Sequence, residues 1–206
     1  ILGNAVRRDN PEAVETERLG LPRLSMPEAL ARFFLADRQP LVVAGTHGKT
    51  TTSAMAAKVW SDCGRDPGFL IGGVPIDLGV SFRCGSGPRF VVEGDEYNAA
   101  YFDRGAKFLH YRPETLILTS VEHDHADLYP TPESLLAAYS RLIALVPESG
   151  LIVACGDSAE IRQLAEAARA PVVFYGEHAT NAVRLLGVPE ADSAGVRFRL
   201  REESGD

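Results

Sequence analysis

The chain has 206 residues, 45% of them apolar and 24% charged, and 21 Lys+Arg against 28 Asp+Glu give a formal net charge of −7. Globular usage of this kind argues against disorder, collagen and coiled coil, and the acidic balance argues against non-specific binding to nucleic acid or an anionic membrane surface. Three scattered cysteines (Cys63, Cys84, Cys155) form no C-x-x-C pair and no apolar run is long enough to span a bilayer, so a zinc ribbon, a disulfide framework and membrane insertion are not expected; a cytoplasmic location is.

In chain order, Asn10–Pro11 reads as a turn, and Ser25-Met26-Pro27-Glu28 as a capping box opening a helix that runs to about Asp37. Gln39–Pro40 breaks that pattern, which places a domain boundary near residue 40, with residues 1–40 as tail and connector and 41–206 as the main domain. Beyond it, short apolar runs recur at Leu41–Ala44, Phe90–Val92, Leu116–Leu118, Leu151–Ala154 and Val172–Phe174, the pattern of strands buried on both faces. Helices are predicted between several of them. Thr51–Cys63 closes at Gly64; Thr131–Pro132 caps a segment with Leu135, Leu136, Tyr139, Leu142, Ile143 and Val146 at helical spacing; Ser158–Arg169 forms a third. Near the end, Val196, Phe198 and Leu200 alternate with Arg197, Arg199 and Arg201 as a half-exposed strand. The alternation predicts an α/β fold, a mainly parallel sheet flanked by helices.

Three motifs carry chemistry. Gly45-Thr46-His47-Gly48-Lys49-Thr50-Thr51-Thr52 lies directly between a predicted strand and a predicted helix. A Gly-rich turn there lets backbone N–H groups and a helix N-terminus cradle phosphate, with Lys49 on the β/γ-phosphates and the Thr50 hydroxyl on Mg²⁺. Its spacing, G-x-x-G-K-T, departs from the general phosphate-loop pattern, and an ordinary strand-to-helix turn is the bland alternative. Glu93-Gly94-Asp95-Glu96-Tyr97 follows the Phe90 strand and suits Mg²⁺, a cationic substrate group or a solvated acidic turn. Glu122-His123-Asp124-His125-Ala126-Asp127 follows the Leu116 strand and suits either a metal site or a capping Asp with surface histidines; oxygens beside phosphate favour Mg²⁺ over Zn²⁺. Each motif begins where a parallel strand ends, so the three converge on the carboxyl edge of one sheet, where open α/β sheets bind ligands. A nucleotide–Mg²⁺ site follows.

The order GTHGKTTT, EGDE, SVEHDHAD resembles the Mur ligase superfamily, ATP-dependent amide-forming enzymes of peptidoglycan assembly. Ile71-Gly72-Gly73-Val74-Pro75, Ala100-Tyr101-Phe102-Asp103 and Lys107–Pro113 are similar to the branch that joins recycled L-alanyl-γ-D-glutamyl-meso-diaminopimelate to UDP-N-acetylmuramate. The resemblance implies the family's central ATP-binding domain. Gly45, Thr46, His47, Gly48, Lys49, Thr50 and Thr51 would hold ATP, Thr50 and Glu93 one Mg²⁺ and His125 a second, with Lys49, Glu93 and His125 as the catalytic set. Asp95, Glu96 and Tyr97 would lie against the muramoyl substrate. The implied reaction runs through an acyl phosphate, which the acceptor amine then attacks. Asn98 stands where the family carries Asp, and no lysine lies beyond Lys107, so the carbamylated lysine of several relatives has no counterpart. Alternatives are the L-alanine-adding branch and a non-catalytic nucleotide-binding domain; a GTPase switch lacks its N-K-x-D motif. Ile1-Leu2-Gly3-Asn4-Ala5 resembles the tail of a uridine-nucleotide domain and Arg201–Asp206 reads as an opened loop, so a middle region without the third domain is expected.

Overall fold

Side-chain caps shape the first forty residues of the computed structural model, which describes residues 1–124, 126–192 and 195–202. The expected turn at Asn10–Pro11 is the start of a helix, α1 (Pro11–Arg18). The Asn10 side chain accepts from the amides of Glu12 at 2.9 Å and Ala13 at 3.3 Å, and Pro11 fills the first helical position, where no N–H is needed. The Ser25/Glu28 capping box forms as predicted and opens α2 (Met26–Leu30), but the helix continues as a π-helical turn, Ala31–Leu35. Leu30 and Leu35 are both buried; five residues apart, they share a side only if the turn widens from the α to the π repeat.

The strands are β1 (Gln39–Ala44), β2 (Gly68–Leu70), β3 (Phe82–Arg83), β4 (Arg89–Gly94), β5 (Asn98–Ala100), β6 (Asp103–Ala106), β7 (Thr115–Leu118), β8 (Leu151–Cys155), β9 (Val172–Gly176), β10 (Val183–Asp192) and β11 (Gly195–Glu202). β5 and β6 pair as a separate hairpin. The other nine form one sheet in the order β11-β10-β9-β8-β7-β1-β4-β2-β3, parallel except for the outer pairs β2–β3 and β10–β11. The helices α3 (Lys49–Asp62), α4 (Pro132–Ala144) and α5 (Ala159–Ala165) cover it. Side-chain alternation along β1 explains its unbroken apolar run. Val42 and Ala44 join a cluster with Leu116, Leu118, Leu135, Tyr139 and Ile161 on one face, while Leu41 and Val43 pack with Ala57, Phe69 and Val91 on the other.

β11 occupies the predicted stretch but is exposed on both faces, not half-exposed: Val196, Phe198 and Leu200 all remain open to solvent beside antiparallel β10. No helix among the described residues is long and apolar enough to cross a membrane. From β1 the chain passes through β2, β3 and β4, all on one side of it, and from β7 it proceeds to β8 and β9 on the other. The loops after β1 and β7 therefore face each other at the point where the strand order reverses.

Candidate nucleotide-binding site

The first loop, Gly45–Gly48, turns the chain from β1 into α3 through two left-handed glycines, Gly45 at φ +141° and Gly48 at φ +79°. Gly48 caps a helix that begins at Lys49, two residues before the predicted start, and no side chain caps it. The amides of its first turn, Lys49 to Thr51, thus point out of the helix toward the loop, the arrangement that accepts anionic oxygens. The loop is strapped from outside by the residues after β7. Ser120 accepts from the Thr46 amide through its carbonyl and from the His47 amide through its hydroxyl, each at 2.9 Å. Thr119 Oγ1 donates to the His47 carbonyl at 2.5 Å, and Thr46 Oγ1 bridges the carbonyl and amide of Glu122 at 3.1 and 2.9 Å. Sequence reasoning did not single out Thr119, and it gave no role to Ser120, the first residue of the SVEHDHAD segment.

The second loop follows β4, parallel to β1 in a register that pairs Val43 with Glu93 and Ala44 with Gly94. Glu93 Oε2 accepts from Thr50 Oγ1 at 3.0 Å, and Oε1 accepts from the Gly72 amide at 2.7 Å. Glu96 is buried, its carboxylate 3.2 Å from Lys49 Nζ, and that ammonium also donates to the Gly45 carbonyl at 2.7 Å. Asp95 points elsewhere, to Lys107 Nζ at 3.2 Å, and the same ammonium lies 5.9 Å from the centre of the Tyr97 ring. The three residues grouped by sequence as substrate contacts are therefore split between two lysines.

The third loop brings Tyr129 to the site, a residue the sequence reading passed over. Its hydroxyl donates to the Glu96 carbonyl at 2.6 Å, and its pKa is pushed up to about 12 by burial and then by the Glu96 charge, so it stays a donor at neutral pH. His123 Nε2 lies 2.9 Å from the Tyr129 carbonyl, and exposed His47 stands 3.8 Å from Glu122. His125 falls outside the described residues. Among those described, no group of three or more His, Cys, Asp or Glu is set to hold a metal. What the loops do offer is the adjacent Thr50 hydroxyl and Glu93 carboxylate, a hard-oxygen pair that fits Mg²⁺ with phosphate oxygens as further ligands and does not fit Zn²⁺.

Beside the straps a cleft of about 630 Å³ opens between the ends of β7 and β8, lined by Thr119, Glu122, Leu135, Leu136, Cys155 and Asp157 among others. Asp157 is a brace. Burial raises its pKa, but the amides of Glu177 (2.7 Å) and His178 (2.8 Å) and the Asn181 side chain (2.9 Å) outweigh that and hold it below the usual carboxylate value.

Comparison with known proteins identifies a family. The family model described as Mur ligase middle domain matches residues 43–204. A relative from Escherichia coli (strain K12), UDP-N-acetylmuramate–L-alanyl-gamma-D-glutamyl-meso-2,6-diaminoheptandioate ligase, is 45% identical over 153 residues, covering 74% of this chain and 34% of that one. A UDP-N-acetylmuramate–L-alanine ligase from Paenarthrobacter aurescens (strain TC1) is 43% identical over 166 residues, covering 81% and 35%. The crystal structure of UDP-N-acetylmuramate:L-alanyl-gamma-D-glutamyl-meso-diaminopimelate ligase from Neisseria meningitides superposes with a TM-score of 0.84 at 37% identity, covering 95% of this chain and 63% of that one. The chain spans about a third of the length of the curated relatives it matches.

Proposed function

The chain belongs to the Mur ligase family, and we propose that it supplies the nucleotide site of an ATP-dependent ligase joining a recycled peptide to the lactyl carboxylate of UDP-N-acetylmuramate. One observation carries the reading: a left-handed glycine loop opens an uncapped helix with Lys49 folded into it and Thr50 on Glu93, at the edge where the strand order reverses. In the reaction the lactyl carboxylate attacks the γ-phosphorus of ATP, ADP leaves, and the peptide amine then displaces phosphate from the acyl phosphate.

Such chemistry asks the protein mainly to position charge. The amides of the loop and of the first turn of α3 hold the β- and γ-phosphate oxygens, and Lys49 donates to them. Thr50 and Glu93 hold Mg²⁺, which supplies neutralisation of the phosphate charge when bound. His125 serves a second Mg²⁺, and Asp95 and Tyr97, with Lys107 between them, lie toward the muramoyl nucleotide. Residues 1–40 are the end of a uridine-nucleotide domain with its connector, and the protein works in the cytoplasm.

Transfer to L-alanine is the second reading, favoured by the 43% identity to the Paenarthrobacter aurescens relative. Phosphate release from ATP is measured with UDP-N-acetylmuramate and either the tripeptide or L-alanine. Release driven by the tripeptide supports the first reading and release driven by L-alanine the second. A folded protein that turns over ATP with neither refutes both.

A further inference from the structure

Adjacent acidic residues on an extended chain point to opposite sides, and here they serve two different lysines, Asp95 reaching Lys107 and Glu96 reaching Lys49. The two contacts differ in kind. Asp95 is over a third exposed, whereas the Glu96 side chain is 3% exposed and its lysine 14%. Carboxylates so deeply buried persist only beside a compensating charge. The Glu96 backbone is also pinned: Tyr129 donates to its carbonyl at 2.6 Å, the Phe108 amide to the Asp95 carbonyl at 3.2 Å and the Lys107 amide to the Tyr97 carbonyl at 2.9 Å. Turning the carboxylate out toward a soluble substrate would break this frame. A Lys49 ammonium has three N–H donors, and the Gly45 carbonyl at 2.7 Å, the Thr46 carbonyl at 3.4 Å and Glu96 at 3.2 Å engage them.

We propose that Glu96 is a positioning residue: its buried carboxylate holds the Lys49 ammonium inside the phosphate loop and so sets how tightly the loop takes a nucleotide phosphate. The proposal rests on the nucleotide site argued above and gives Glu96 a role other than contact with the muramoyl substrate. A carboxylate behind the ammonium subtracts from its field at the phosphate and repels the phosphate itself. Holding the lysine in place works the other way, by sparing one side chain's ordering entropy on binding. With the Glu96–Lys49 pair this buried, the like-charge term is the larger.

Two readouts test it. Only three lysines occur, Lys49, Lys58 and Lys107, so acylation by acetic anhydride can be followed at each by mass spectrometry, with Lys58, partly exposed and paired with Asp62, as the internal reference. In Glu96→Gln, Lys49 should be acylated about tenfold faster relative to Lys58, and calorimetry should show the Kd for Mg·ADP falling about tenfold, the scale of one charge-assisted hydrogen bond. In a Lys49→Ala background only the direct repulsion remains, so Glu96→Gln should lower the Kd by clearly less than it does beside Lys49. An unaltered acylation ratio, or the same fold-change in Kd with and without Lys49, overturns the proposal. Unmodified protein that fails to bind Mg·ADP refutes the nucleotide site and this proposal together; binding that the variant leaves untouched refutes this proposal alone. Should Glu96→Gln not fold, Glu96→Asp withdraws the charge by one methylene and should move both readouts in the same direction by less.

Discussion

Replacing Gly45 by alanine tests whether the phosphate loop is built by backbone geometry. At φ +141° the residue occupies a region open essentially to glycine alone, and the strain of a side chain there costs about 1–3 kcal/mol. A second cost is steric. An added Cβ would run into Thr119 Oγ1 and into the backbone N and O of Ser120. The side chain of Thr119 could rotate, but the Ser120 carbonyl is fixed by the Thr46 amide at 2.9 Å, and β7 before it is paired on both sides. Forced overpacking of this kind adds about 1–3 kcal/mol, so Gly45→Ala should destabilise by roughly 2–6 kcal/mol in total. Gly64 supplies the control. It too has a positive φ, +69°, but its added Cβ would meet nothing within 4 Å, so Gly64→Ala should cost only about 1 kcal/mol. Urea melts give the stabilities and calorimetry the affinity for Mg·ADP. Gly45→Ala should lose most of its nucleotide affinity even where folded, and Gly64→Ala should keep it. Equal stability losses in the two variants, or normal affinity in Gly45→Ala, would refute the steric argument.

In the full-length enzyme, Lys49→Ala should fold, as judged by circular dichroism, yet turn over ATP on the order of 10³-fold more slowly, and near-normal turnover would remove Lys49 from the phosphates. Glu93→Gln should raise the Mg²⁺ concentration for half-maximal rate more than the ATP requirement; equal shifts in both would point to nucleotide contact instead. His125→Ala should do the same; an unchanged Mg²⁺ titration would free His125 of that role. Tyr129 and Tyr175 are both held near a pKa of about 12, by burial first and neighbouring negative charge second. The folded chain therefore keeps protons that the unfolded chain loses above pH 10, so the contribution of these two tyrosines should be constant below pH 10 and stability should fall between about 10 and 12, less steeply in Tyr129→Phe. Urea melts at pH 8 and pH 11 that gave the same slope of loss in both proteins would contradict the assignment.

Much of this architecture is legible in sequence because it is local. β1, β4, β7, β8 and β9 are mostly parallel strands in the sheet's interior, so their apolar runs stand out, and the phosphate loop is contiguous from Ala44 to Thr52. What escaped has no such signature. β2 and β3 have three and two residues, too few for any period, and the outer half of β10, residues 187–192, is exposed with no sustained alternation of apolar and polar residues. Asn10–Pro11 suits a turn as well as a helix start, and only the caught amides of Glu12 and Ala13 decide. At the site, the contact of Lys49 with Glu96 spans 47 residues and that of Thr46 with Glu122 spans 76; no periodicity records which distant side chain closes a loop.

These long-range contacts tie the site to the core. The phosphate loop keeps its shape because Thr119, Ser120 and Glu122 hold it from the end of β7, and they reach it because β7 pairs with β1 in a register that sets Ala44 against Leu118. The same register places Val42 and Ala44 with Leu116 and Leu118 under α4, and Leu41 and Val43 under α3. A slip by one residue would turn each of these side chains to the wrong face of the sheet, and it would also carry Thr119 and Ser120 about 3.3 Å along the strand, out of reach of the loop. Packing that selects the fold thus selects the geometry of the loop.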